Sequence, residues 1–196
     1  MRHSSKGFTL IEALIAIVIF GVGLLAVASL QIVARKATYE AVQRTAAAQL
    51  AESMLERMRA NAIALEVYVG GTGELILGGG TRGVPASTCQ VRAAPCTPAG
   101  MALADLWEWE RQLDGAYEVA DGQAVGGLVS PTACVRGQLD GGTGPYAVAI
   151  AWRGTSESDE PPPDACGAGN PAYAGDDGTA DARRKVVVVQ TFINAL

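Results

Sequence analysis

The sequence predicts an α+β protein in which one long N-terminal helix packs on an antiparallel β-sheet. An uncharged, mostly apolar stretch runs from Ala13 to Ala34, and the first proline is Pro85. Apolar residues then recur at helical spacing as far as Leu65, and strand-like patterns dominate the C-terminal part. We therefore expect a single helix from about Phe8 to about Leu65, followed by a β-rich body.

The apolar stretch is long enough to cross a membrane. At about 1.5 Å per residue it spans a hydrocarbon core of about 30 Å. Basic residues precede it at Arg2 and Lys6, which predicts a cytoplasmic N-terminus and an exported body. A secretory signal peptide would have a shorter apolar run, followed by a cleavage site with small residues. We predict residues 8–34 as the transmembrane and assembly half of the helix.

A single carboxylate, Glu12, lies at the front edge of this stretch. An acid inside a membrane segment costs about 2.5 to 3.5 kcal/mol on insertion scales, and less near the interface. An ordinary membrane anchor would gain nothing from such a residue. We therefore expect Glu12 to have a function.

The segment Gly7-Phe8-Thr9-Leu10-Ile11-Glu12, with the apolar residues behind it, resembles the class III signal of type IV pilins and secretion pseudopilins. The resemblance implies that a prepilin peptidase removes residues 1–7 by cutting between Gly7 and Phe8. The new N-terminal phenylalanine would then be methylated. It also implies the type IV pilin fold and makes Glu12 a candidate assembly residue.

Residues 35–66 are predicted to form the amphipathic half of the helix, which packs on a globular region at 67–196. Charged residues such as Lys36, Arg44 and Glu52 lie mainly off its apolar face. The predicted apolar face consists of Tyr39, Val42, Ala46, Leu50, Met54, Met58, Ala62 and Leu65.

A second helix is predicted from Met101 to Leu113, where apolar residues return to helical spacing. Its segment Asp105-Leu106-Trp107-Glu108-Trp109 is similar to an Asp-Leu-x-x-Trp stretch of PilV-type minor pilins. We expect Trp107 in the core and Trp109 as the exposed ring, which makes Trp109 a possible partner surface.

About four strands are predicted. The glycine-rich residues 141–145 separate a strand at 133–139 from an alternating strand at 146–152, which indicates an antiparallel hairpin. Residues 185–193 form the strongest β segment, apolar on both faces and therefore expected in a central or helix-covered position. A short apolar island at 75–77 suggests a weak strand.

Four cysteines lie in the body, which we expect in an oxidising compartment, and they allow three pairings. The nearest-neighbour scheme joins Cys89 to Cys96 and Cys134 to Cys166. This scheme resembles the disulfide-closed C-terminal loop of type IV pilins. A zinc site has no support, because C-x-x-C spacing and a histidine in the body are both missing.

Composition argues against catalysis, cofactors and nucleic-acid binding. The net charge is −5 and the pI about 4.9, whereas nucleic-acid binding normally needs a basic face. The sole histidine, His3, lies in the predicted leader, so the mature chain has no Ser-His-Asp arrangement. The acidic insert at 153–184 is expected to be a solvated loop. Its Asp176-Asp177-Gly178 segment lacks EF-hand spacing, and we predict no metal site.

The resemblance to PilV-type minor pilins implies a minor pilin that primes assembly of a type IV pilus and lies at its tip. The resemblance implies several partners: other minor pilins, major pilin, a large pilus-tip adhesin, prepilin peptidase and the inner-membrane assembly platform. Two alternatives stay open. One is a minor pseudopilin of type II secretion, and the other is a membrane-anchored periplasmic binding module.

Overall fold

A computed structural model describes residues 7–89, 95–124 and 126–195. The chain divides into two compact units, Met1–Ala41 and Val42–Leu196. The first unit contains the N-terminal part of helix α1, which runs from Leu10 to Ala60, and the second contains the rest of the chain.

Helix α1 confirms the predicted long helix with small differences at its ends. It begins at Leu10 rather than Phe8 and ends at Ala60. The chain then continues through a 3₁₀ turn at Ala62–Ala64 and a short helix α2 at Leu65–Tyr68. Asn61 separates the two segments, and its side chain donates a hydrogen bond to the carbonyl oxygen of Pro98 (2.8 Å).

The predicted apolar face is confirmed from Met54 onward, where Met54, Met58, Ala62 and Leu65 are buried, and it is wrong before that point. Tyr39 and Val42 are 43% and 59% exposed, and Ala46 and Leu50 are only partly buried. The small residues Ala47 and Ala51, in the adjacent row of the helix surface, are fully buried instead and allow close packing against the body. The buried residues of α1 are Gln43, Ala47, Ala51, Met54, Leu55 and Met58.

The second predicted helix is present as α3, Pro98–Leu113. Its first turn is capped by Thr97, whose side chain accepts a hydrogen bond from the backbone N–H of Gly100 (3.1 Å). Pro98 occupies the first turn, where a missing N–H costs nothing. A small hairpin that the sequence did not suggest follows, formed by β2 (Val119–Ala120) and β3 (Gln123–Ala124).

The main sheet has four antiparallel strands in the order β1-β4-β5-β6. This confirms the predicted sheet and its hairpin, in which Cys134 pairs with Ala149 and Val135 with Val148. The strands are β1 at Glu74–Leu77, β4 at Thr132–Arg136, β5 at Gly144–Arg153 and β6 at Arg184–Ile193.

Of the two positions predicted for the valine-rich strand, the central one is wrong, because β6 lies at the edge of the sheet. The helix-covered one agrees with its inner face, which packs against the core shared with α1 and α3. Val187 and Val189 pack against the main core, whereas Val188 packs against the disulfide side of the sheet. Apolar residues on both faces therefore reflect packing on both sides of an edge strand.

One core joins α1, α3 and the sheet within the second unit. All of its larger members are almost fully buried. They include Met54 and Met58 of α1, Leu106, Trp109 and Leu113 of α3, and Val135, Val148, Ile150 and Trp152 of the sheet.

Candidate functional site

The predicted processing segment precedes α1. Gly7, Phe8 and Thr9 lie outside regular secondary structure, and Phe8 is 77% exposed. A Cβ atom added to Gly7 would meet nothing within 4 Å, and its φ is not in the left-handed region. Glycine at this position is therefore not required by the fold. A glycine here would be explained if another protein has to bring its own atoms close to the backbone at this position.

Glu12 lies in the first turn of α1, where its backbone N–H donates to the carbonyl oxygen of Thr9 (3.2 Å). A negative charge is favoured here by the partial positive charge of the helix N-terminus. Within the described residues Glu12 is exposed and forms no ion pair. Its carboxylate is thus accessible to another molecule.

The helix behind Glu12 is the one candidate membrane span in the described part of the chain. None of its most apolar window is buried. The apolar core of a lipid bilayer would cover such side chains, since exposure of this many apolar residues to water is unfavourable. Its exposed members include Leu14, Ile17, Phe20, Leu25, Leu30 and Val33.

Both predicted disulfides are present, and no described cysteine is free. Cys134 in β4 is joined to Cys166 across a Cα–Cα distance of 5.8 Å. Both residues are buried and pack with Ala149 and Val188. Cys89 is joined to Cys96 just before α3, where the Cα atoms are 5.5 Å apart.

The two tryptophans of α3 are arranged opposite to the prediction. Trp109 is fully buried, and its indole N–H donates to the carbonyl oxygen of Leu50 (2.9 Å). Trp107 is only partly buried, and the guanidinium of Arg111 lies 5.0 Å from its ring and 5.2 Å from that of Tyr117. Trp109 is therefore not a partner surface.

The reason is the register of the helix face. The buried apolar positions of α3, apart from Ala104, follow the spacing 102, 106, 109 and 113, in steps of four, three and four. The expectation of a buried Trp107 placed the core along the neighbouring row at 103, 107 and 110, of which only Glu110 is buried. Either set satisfies the periodicity of so short a helix, because small Ala102 gives little hydrophobic signal.

The first residue of the Asp-Leu-x-x-Trp segment fastens α3 to the end of α1. Asp105 accepts hydrogen bonds from the hydroxyl of Tyr68 (2.5 Å) and from Arg57 Nη1 (2.9 Å). Burial and the bond to Asp105 raise the pKa of Tyr68 well above its ordinary value. Asp105 and Trp109 together bind α3 to α1, so this segment has a packing role.

A glycine-rich loop wraps around two carboxylates of α3. Glu110 is 2% exposed and accepts hydrogen bonds from the N–H groups of Gly78 (2.8 Å) and Arg82 (2.8 Å), and from the hydroxyl of Thr81 (2.6 Å). Asp114, which directly follows the last residue of α3, accepts hydrogen bonds from the N–H groups of Gly79 (2.9 Å) and Gly80 (2.7 Å). The loop thus surrounds an anion that the chain itself supplies.

Burial alone would raise the pKa of Glu110, but the hydrogen bonds from Thr81, Gly78 and Arg82 outweigh it and hold the pKa below its usual range. Gly78 is essential to this geometry, since its φ is 124° and an added Cβ would lie 2.4 Å from the carbonyl oxygen of Pro131. The sequence offered one clue, an acid on the apolar side of a helix.

The acidic insert is more structured than predicted. Tyr173 is fully buried and its hydroxyl donates to the carbonyl oxygen of Ser130 (2.8 Å). As the one aromatic residue of the insert, it supplies the apolar area that anchors the insert to the sheet. The expectation of a solvated loop without core residues is therefore wrong.

The candidate calcium residues already have protein partners. Asp176 pairs with Arg183 (2.5 Å), Asp177 accepts from the N–H of Thr179 (2.8 Å), and Asp181 pairs with Arg184 (3.4 Å). In the described ranges, no group of three or more His, Cys, Asp or Glu side chains could hold a metal ion.

Comparison with protein families gives two adjoining matches. Residues 2–28 match the prokaryotic N-terminal methylation motif, and residues 29–107 match the type IV pilin Tt1218 family. No curated protein and no solved structure matches the chain significantly. The two matches together cover more than half of the sequence and include the processing segment, α1 and most of α3. Type IV pilins are structural subunits rather than enzymes. The chain is therefore a member of the type IV pilin family with a prepilin-type N-terminal signal.

Proposed function

We propose that this pilin is a minor pilin, most similar to the PilV type, that primes assembly of a type IV pilus and is incorporated at its tip. The PilV type is favoured by the resemblance of the segment at 105–109. The observation that carries the assembly role is the placement of Glu12. It is an exposed acid in the first turn of a helix whose next 22 residues are uncharged. In lipid such a charge needs a partner, since effective desolvation costs several kcal/mol per ion.

Cleavage between Gly7 and Phe8 would create that partner. The new amine at Phe8 lies four residues before Glu12 and two residues before the start of α1, so it is close to Glu12 along the chain. Pairing of Glu12 with the amine of a neighbouring subunit would offset part of the desolvation cost and favour docking in one axial register. An intramolecular pair is the competing arrangement, so contact alone does not separate the two.

Processing is tested by intact-mass analysis of protein from native membranes. We expect loss of residues 1–7 and gain of one methyl group. Gly7→Val should leave the precursor uncut, and because Gly7 has open space around it, this variant should fold normally. A mature protein that retains residues 1–7 would contradict the proposal.

Docking is tested by comparing Glu12→Ala with Glu12→Gln, each scored for cleavage, membrane level and recovery with the other minor pilins. Both variants should be cleaved and accumulate normally, while recovery in the priming complex falls by roughly tenfold or more, as expected for a charge that loses its partner. Normal recovery of Glu12→Ala would show that the carboxylate is not the docking element.

The location of the body is part of the proposal. Two disulfides and basic residues before the span favour a periplasmic body with the N-terminus in the cytoplasm. Helix α1 also passes through Ser29 without a break, and the Ser29 hydroxyl donates to the carbonyl oxygen of Ala26 (2.8 Å). Many major pilins resembling this chain have a helix-kinking proline there. An uninterrupted helix favours a priming or tip role over bulk filament.

A pseudopilin of type II secretion is the second candidate, since it shares the same N-terminal segment. Sheared pili should contain this chain if it is a pilus subunit. A knockout that blocks secretion but leaves pili unchanged would favour the pseudopilin instead. A membrane-anchored binding module would tolerate both Glu12 variants without any loss of assembly. We expect the other partners to be major pilin, a large tip adhesin, prepilin peptidase and the assembly platform.

A further inference from the structure

The outer edge of β6 carries backbone groups that the described chain does not use. Strand β6 has ten residues and pairs with β5 on one side, without interruption from Arg184 to Ile193. It stands last in the order of the sheet, so its other side has no neighbouring strand.

The register identifies which residues point outward. The N–H of Gly154 donates to the carbonyl oxygen of Arg183, whereas the N–H of Arg184 turns away and donates to Asp181. Antiparallel pairs alternate between hydrogen-bonded and non-hydrogen-bonded. Odd-numbered residues of β6 therefore bond to β5, and even-numbered ones face outward. The even-numbered residues beyond Arg184 are Val186, Val188, Gln190 and Phe192.

None of these four residues has another backbone hydrogen bond within the described ranges. Their N–H and C=O groups form a row at ladder spacing, which water satisfies in the free chain and which an extended main chain of another molecule would satisfy as a set. Phe192 is also 62% exposed at one end of the row. The geometry therefore specifies a strand as occupant.

The opposite edge of the same sheet provides a contrast. Strand β1 has four residues, begins with Glu74, and this glutamate is held by Arg136 (2.5 Å). Shortness and charge are two devices by which proteins protect sheet edges from pairing. From Val186 to Val189, β6 has neither of these devices, and it has no proline or bulge.

We infer that the free edge of β6 is a strand-addition site for an extended segment of another subunit of the pilin assembly. That segment would be uncharged along its pairing residues, because valines flank the row on both faces. Charge defines one of its ends. A cleft of about 430 Å³ at the N-terminal end of β6 has an excess of negative charge, since it is lined by one basic residue, Arg184, and by Glu157, Asp159, Glu160, Asp177 and Asp181. A basic residue at the adjoining end of the segment would therefore be favoured.

The inference goes beyond the proposed function and depends on it only for the source of the partner. Hydrogen exchange at single-residue resolution tests it directly. The full chain is measured in detergent by itself, in complexes with the other pilins extracted from membranes, and in sheared pili. Exchange of the amides of Val186, Val188, Gln190 and Phe192 should slow by roughly 100-fold in the assembled states, because pairing protects them. Amides of Val187 and Val189 are already bonded to β5 and serve as internal controls.

Unchanged exchange of the outward amides in both assembled states would overturn the inference. Protection that arises in the isolated chain as its concentration rises would assign the edge to a second copy and overturn the choice of another subunit. Protection in the membrane complex, with the chain absent from sheared pili, would support strand addition and contradict the tip role.

Gln190→Pro provides an independent test. Gln190 is exposed and its N–H faces outward, so proline there removes no bond to β5 and is tolerated at a sheet edge. Recovery with the other pilins should fall at least tenfold, while thermal unfolding and both disulfides stay as in the parent. Gln190→Ala removes only the side chain and should be recovered normally. Val189→Pro removes a bond to β5 and should impair folding. Normal recovery of a folded Gln190→Pro chain would overturn the inference.

Discussion

Between Leu10 and Ala41, helix α1 exposes its apolar side chains, whereas between Val42 and Ala60 the same helix buries one face. The exposed part is the more apolar of the two, and the buried face contains alanines and even Gln43. Apolar composition therefore does not locate the core of this protein. It shows instead that the two parts of one helix are adapted to different surroundings, lipid or neighbouring subunits for the first and the protein interior for the second.

The largest difference between the two parts should appear in the free energy of unfolding when one leucine in each part is replaced by alanine. Leu55 is 2% exposed and Leu25 is 74% exposed. Leu55→Ala should lower the free energy of unfolding of the body by about 2 to 5 kcal/mol, because it leaves a cavity. Leu25→Ala should change it by less than about 0.5 kcal/mol.

Denaturant unfolding of the full chain in detergent measures both variants. All three tryptophans, Trp107, Trp109 and Trp152, lie in the second unit, so their fluorescence reports on the body alone. Equal destabilisation by the two alanines would mean that the exposed part contributes to the stability of the body.

Membrane insertion should be sensitive to substitution in the first part of the helix and insensitive to substitution beyond it, the reverse of the stability of the body. Ile17 and Ile63 are each 67% exposed, so Ile17→Lys and Ile63→Lys place the same charge on equally exposed positions. Ile17→Lys should weaken insertion by at most about 2.5 to 3.5 kcal/mol, the cost of lysine at the centre of a span, because Ile17 lies nearer the N-terminal end of the uncharged stretch. Ile63→Lys should leave insertion unchanged. The fraction that resists alkaline extraction from membranes measures this, and equal loss for both would contradict a span confined to the first part.

The two units of the chain also contain contrasting carboxylates, Glu12 in the first unit and Glu110 in the second. The pKa of Glu110 is lowered, so its contribution to stability is present above the unfolded pKa of about 4.3 and is lost as the pH falls through the folded pKa. Glu110→Gln should cost about 1 to 3 kcal/mol at pH 7, because an amide cannot accept all the donors of the loop.

This cost should shrink as the pH is lowered through the folded pKa of Glu110, because the parent chain then loses the same contribution. Denaturant unfolding at pH 7 and at a series of lower pH values measures it. Glu12→Gln, which lies outside the body, should leave all of these unfolding curves as in the parent. A cost for Glu110→Gln that does not depend on pH would show that its charge is not what binds the loop.

The sequence predicted the elements of this fold better than their surroundings. Alternation and helical spacing located α1, α3 and the β4–β5 hairpin, since these patterns depend on residues close in sequence. The buried state of Trp109 and the edge position of β6 depend on which rows and strands meet in space. Tyr173 and Glu110 were missed because a single aromatic residue in a polar insert and a single acid on a helix give no periodic signal. The N-terminal signal could be recognised from the sequence because all of its residues are contiguous in the chain.

Loss of a helix cap should give the smallest difference in stability between the two units of the chain. Thr97 caps α3 by accepting a hydrogen bond from the N–H of Gly100, whereas Thr9 precedes α1 and offers its backbone carbonyl to Glu12 and Ala13. Thr97→Ala should destabilise the body by about 1 kcal/mol, since the cap donor loses its acceptor. Thr9→Ala keeps the carbonyl and should leave the unfolding of the body unchanged. Tryptophan-detected unfolding resolves a difference of this size. Destabilisation of the body by Thr9→Ala would mean that the start of α1 is coupled energetically to the body, and the separation drawn between the two parts would fail.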